Sequence, residues 1–190
     1  MGLETALGSV LAAFGLSGAA GLNAWLPLFG SALLARLDLV ELAAPFDELS
    51  STTGLVVLGV LAVADFVGDK VPLVDHVLHV AGALVAPASG ALLFAGQTGL
   101  ETDLPAFAAV VLGALTAGSV HAGRAAVRPV ATASTGGLGN PLLSLGEDVA
   151  ALALLVAAFV LPVLAAALVV ALVVGVLSLR RRLGRRLGGR

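Results

Sequence analysis

Two uninterrupted apolar runs constrain this chain more than any other feature. Thr5–Ala35 and Val149–Leu179 each hold 31 residues without a single charge. As one helix, either run would reach roughly 46 Å, well past a hydrocarbon core of about 30 Å. Each is therefore read as two segments with a break. Pro162 divides the second into Asn140–Leu161 and Pro162–Leu179. In the first, Gly15, Gly18, Gly21 and Asn23 weaken the helix, and Asn23–Arg36 is short enough to be a half-helix. Residues 5–35 can cross once, cross twice or re-enter.

Between these ends three more segments qualify: Gly54–Asp69, Leu73–Ala95 with Pro87 inside it, and Leu104–Ala125. Asp103 is expected as the N-cap of the last, and Pro129 as its stop. Asn140 is expected to cap the following helix, with Pro141 in its first turn. The pattern predicts an all-α, polytopic membrane bundle of six or seven segments. It divides into one transmembrane domain, 1–179, and a basic tail, 180–190. A short repeat, Val56–Leu61 against Val110–Leu115, sets Asp65 against Ser119 and Lys70 against Arg124.

Composition narrows the functional classes. Charged residues make up 12% of the chain and apolar ones 59%, which excludes a soluble enzyme or a nucleic-acid binder. Cysteine is absent, so disulfides, thiolate metal sites and thiol catalysis are excluded too. The first 35 residues hold no Lys or Arg, which is incompatible with a signal peptide. Six arginines close the chain, and the positive-inside rule puts them in the cytoplasm. Counting spans back from that end brings Arg124, Arg128 and Lys70 to the same side. Asp38, Glu41, Asp47, Glu48, Glu101 and Asp103 fall opposite.

Five acids remain near the inner end, Asp65, Asp69, Asp75, Glu147 and Asp148, together with His76, His79 and His121. A carboxylate at mid-bilayer costs roughly 2.5–3.5 kcal/mol, so such groups must face partners or water rather than lipid. Asp65 and Asp69 are four apart, as are Asp75 and His79, while His121, Arg124 and Arg128 form one helical stripe. With Asn140 and Ser144 these residues predict a cytoplasm-facing cavity for a small cation or a proton. Lys70, Arg124 and Arg128 act as counter-charges, and Gly18, Gly21 and Asn23 provide a discontinuous helix beside the path. Asp75 and His79 are the candidates for a metal; no cofactor is demanded, and a divalent cation is one option. Two rivals stand: a membrane scaffold whose polar cluster pins its helices, and, less favoured, a metal-dependent enzyme acting on lipid head groups. The expected partners are the bilayer, the transported ion and further copies of the chain.

Four motifs stand in order: Gly21-Leu-Asn-Ala-Trp-Leu-Pro27, Asp69-Lys-Val-Pro72-Leu-Val-Asp75-His76, His121-x2-Arg124-x3-Arg128, and Thr135-Gly-Gly-Leu-Gly-Asn140-Pro141-x2-Ser144-x2-Glu147-Asp148. Together they resemble the small bacterial membrane proteins of domain-of-unknown-function family 4126, in which Lys often replaces the residue at Arg124. The resemblance implies a multi-pass protein of the bacterial inner membrane and carries no activity with it. Its motif residues coincide with the polar cluster.

Overall fold

A computed structural model describes residues 3–68, 72–99, 102–136 and 138–187, and the side chains of all of these except 3, 72–77, 79 and 179–187. Seven α-helices and one short 3-10 turn account for nearly all of them: α1 Leu3–Leu22, α2 Trp25–Arg36, the turn Phe46–Ser50, α3 Thr52–Gly68, α4 Pro72–Thr98, α5 Ala106–Thr135, α6 Asn140–Val160 and α7 Pro162–Leu187. Four helices are long and apolar enough to cross a membrane, within α1, α4, α5 and α6. The chain is a membrane-type helical bundle.

The core is built around α1, which packs against α4, α5, α6 and α7. Its sequence explains the placement. Small residues let several helices approach one axis closely, where bulky ones would hold them apart. A methyl group on Gly15 would press on Ala165 and Ala158, and one on Gly18 would press on Val169. One on Gly21 would lie 2.6 Å from the carbonyl oxygen of Ala117. The glycine run therefore does not unwind the helix. α1 continues through Gly18 and Gly21, and the break comes at Asn23–Ala24. Backbone hydrogen bonding at full strength inside a dry interface outweighs the weak helix propensity of three glycines.

Prolines also behave differently from expectation at one place. Pro162 does separate α6 from α7. Pro129 does not end α5, which continues to Thr135 and stops where Gly136 turns left-handed at φ 61° and donates its N–H to the Thr132 carbonyl. Membrane helices accommodate an interior proline where neighbouring helices, hydroxyl side chains, water or local adjustment satisfy the freed carbonyl. Asp103 caps nothing: α5 starts after Pro105 without a side-chain cap. Asn140 is the first residue of α6 rather than its cap.

The helices α6 and α7 run antiparallel across α1, since Ala158 and Ala165 both meet Gly15 while Val169 meets Gly18 further down. At one end of the bundle Phe14 stacks edge-on against Phe94 at 5.0 Å, in a cluster with Ala95, Ala109 and Phe46. At the other end lie Asn23, Arg124, Arg128, Glu147 and Asp148. The repeated segments fall on α3 and α5, which are 17 and 30 residues long. α3 packs on α2, whereas α5 packs mainly on α4 and α1.

Candidate polar site at the break between α1 and α2

Asn23 stands at the centre of the polar end and is 1% exposed. Ala24 already has helical angles, φ −71° and ψ −32°, so Asn23 is the capping residue of α2. Its Oδ1 accepts the N–H groups of Trp25 and Leu26, both at 3.0 Å. Those two donors fix the amide orientation, because only the oxygen can accept them. The Nδ2 group must then point away from α2. It donates to Asp65 Oδ2 at 3.0 Å and to Asp148 Oδ1 at 2.9 Å. One amide thus uses all four of its hydrogen-bonding capacities, and joins carboxylates from α3 and α6 to a helix end.

A second cluster lies beside it. Glu147 Oε2 forms an ion pair with Arg124 Nε at 2.6 Å and accepts a hydrogen bond from Arg128 Nη2 at 2.8 Å. Arg124 also donates Nη1 to the carbonyl of Leu22 at 2.7 Å, binding the last turn of α1. A cation suits that position, since a helix C-terminus presents unsatisfied carbonyls and a partial negative charge. Side-chain exposures of 8 to 11% put all three ionic groups out of bulk solvent.

Asp65, His121 and Arg124 face a cavity of about 70 Å³ that lies between α1, α2, α3, α4 and α5 and is lined elsewhere by Trp25, Leu78, Ala86 and neighbouring small residues. Its walls are mostly apolar, but the three polar side chains and that volume leave room and partners for a few waters. His121 fits because α4 has Gly82 opposite: a Cβ there would lie 2.7 Å from the ring Cε1.

The structure thus brings together Asp65, His121, Arg124, Arg128, Glu147, Asp148 and Asn23. Ser144 is fully buried one turn before Asp148. Asn140 lies apart, its Oδ1 accepting from the Thr132 hydroxyl at 3.1 Å on the exposed turn between α5 and α6. The side chains of Asp69, Lys70, Asp75, His76 and His79, and those of the terminal arginines, lie outside the described residues. Among the described residues no group of three His, Asp or Glu could hold a metal ion.

Sequence reasoning gives Asn23 only a backbone role and overlooks it as a bridge. The available signal is a lone amide in a 31-residue uncharged run. Gly82, Leu22 and Trp25 escape notice because nothing local distinguishes a cavity wall.

No curated protein and no solved structure matches the chain. A family model does: the domain of unknown function DUF4126 matches residues 10–182, a span that contains Asn23, the cavity and both arginines. Nearly the whole bundle is covered by that match, and the chain belongs to the DUF4126 family.

Proposed function

We propose that the protein is a bacterial inner-membrane conductor or transporter of a small cation or proton, with its basic C-terminus in the cytoplasm. It carries out no covalent chemistry in this reading. The observation that carries it is the bridging of Asp65 and Asp148 by Asn23 beside a small cavity onto which Asp65, His121 and Arg124 open. A buried carboxylate, Asp148, and a half-buried one, Asp65, are expensive in a membrane bundle, and such groups mark ion or proton pathways. A broken helix at such a site is a recurring feature of transporters. An imidazole, that of His121, also lines the cavity and offers one donor and one acceptor nitrogen in its neutral form.

A second reading has its own support. Glu147 is bound by both Arg124 and Arg128, the arrangement expected where charge merely pins helices. In this scaffold reading the polar end holds α1, α5 and α6 in register and nothing crosses.

Proteoliposomes loaded with a pH-sensitive or cation-sensitive dye separate the two. Transport requires flux that falls at least about tenfold in Asp65→Asn and Asp148→Asn, the effect of losing about 1.4 kcal/mol of carboxylate interaction. Flux indistinguishable from empty vesicles, or unchanged in both variants, favours the scaffold.

A further inference from the structure

We propose that the last turns of α7 are a docking surface for anionic phospholipid head groups. α7 runs as one helix from Pro162 to Leu187. Its apolar stretch, Pro162–Ser178, reaches about 26 Å at 1.5 Å per residue, close to the hydrocarbon core of about 30 Å. The helix does not stop there. It continues through residues 179–187 for about 13 Å more, across a head-group layer roughly 5–8 Å deep. Ala165 and Val169 lie against Gly15 and Gly18 of α1, and Val176 against Gly123 of α5. α7 therefore advances toward the end of the bundle that holds Asn23, Arg124 and Glu147.

Helical register sorts the residues of these turns. Arg181, Arg182, Arg185 and Arg186 occupy positions within one sector of about 140°, and Leu179, Leu183 and Leu187 fall in the opposite sector. A basic sector opposed by a leucine sector is the pattern of a helix at a lipid interface. Arg181 with Arg185, and Arg182 with Arg186, are four apart, a spacing at which like charges oppose the helix. Nothing nearby in sequence offsets them. No Asp or Glu follows Asp148, and the connection at the same end, residues 129–146, has none. Glu147 is engaged by Arg124 and Arg128, and Asp148 by Asn23. Among the described residues α7 packs on α1, α5 and α6 and not on α3 or α4, the helices that carry Asp65 and Asp75. The missing counter-charge has to come from outside the chain.

A phosphodiester supplies it, since guanidinium groups bind phosphate oxygens in paired, charge-assisted hydrogen bonds. Depth selects lipid over polyanions in solution: the arginine positions begin where the apolar stretch ends, within the layer of lipid phosphates. The proposal is independent of whether an ion crosses the protein.

The cysteine-free chain accepts a donor dye at Ser178→Cys, an exposed position just before the arginines. In phosphatidylcholine nanodiscs, energy transfer to trace acceptor-labelled lipid reports which lipid gathers beside α7. Labelled phosphatidylglycerol is expected to be enriched at least about fivefold over labelled phosphatidylcholine, the effect of about one arginine at the surface. Enrichment is expected to fall below about twofold in R181Q/R182Q/R185Q/R186Q, and in the parent at about 1 M salt. The salt arm needs no substitution, so it decides the matter even if the variant unfolds. Equal transfer to both lipids overturns the proposal, as does enrichment that survives either the variant or the salt. Capture of a labelled oligonucleotide without any lipid enrichment overturns it too, in favour of a soluble polyanion.

Discussion

The amide nitrogen of Asn23 lies 2.9 Å from Asp148 Oδ1, across 125 residues of chain. That bond, with its twin to Asp65, makes the end of α1 a junction of four helices. Helix capping and carboxylate bridging are performed by one side chain, so they fail together.

Asn23→Ala is expected to destabilise the protein by about 4 kcal/mol. Loss of the cap contributes about 1 kcal/mol, and loss of each bond to a carboxylate about 1.5 kcal/mol. Asn23→Ser keeps a capping oxygen and is expected to recover about 1 kcal/mol of this. Asn23→Asp is expected to be the worst of the three, since it sets a third carboxylate against two others. Thermal unfolding in detergent, followed by circular dichroism, ranks them.

Glu147 and its two arginines should respond asymmetrically. Glu147→Gln leaves two guanidinium groups without their shared carboxylate and is expected to cost about 3–5 kcal/mol. Arg128→Met leaves the Arg124–Glu147 pair in place and is expected to cost less than half as much. Unfolding midpoints of the two variants give the comparison. Equal losses would mean that the three groups do not act as one cluster.

Gly82→Ala probes function more than stability. The added methyl meets the far end of the His121 side chain rather than backbone, and it reduces the cavity. Unfolding is expected to change by less than about 1.5 kcal/mol, while flux through proteoliposomes falls severalfold. A variant with full flux would remove His121 and this cavity from the path.

Two other glycines calibrate the packing. Gly90 and Gly113 face each other where α4 crosses α5, and a Cβ on either would strike the carbonyl oxygen of the other. Gly90→Ala is expected to cost about 1–3 kcal/mol through overpacking. A methyl group on Gly146 would meet nothing within 4 Å, so Gly146→Ala is expected to stabilise by up to about 1 kcal/mol through helix propensity. Unfolding midpoints of the two variants, measured in the same detergent, should move in opposite directions.

Much of this architecture is legible in the sequence, for a physical reason. Bilayer helices announce themselves by length and by absence of charge, so the segment boundaries at Asn140, Pro162 and the short α2 can be placed within a few residues. Asp65, Glu147 and Asp148 stand out because a charge in an apolar segment is conspicuous. Proline and glycine mislead at Pro129 and Gly18: at Gly18 close packing against Val169 keeps a dry backbone helical, and at Pro129 the helix tolerates one lost hydrogen bond. Pairing is not legible at all. Which acid meets Asn23 and which meets Arg128 depends on how helices distant in sequence rotate against α1, and the methyl-scale complementarity that sets this rotation leaves no periodic trace.

The central position of α1 has a consequence for assembly. It precedes in sequence every helix that encloses it, yet Gly15 and Gly18 find their covering residues only on α6 and α7. The packing of α1 around Gly15 and Gly18 is thus completed by the last two helices of the bundle.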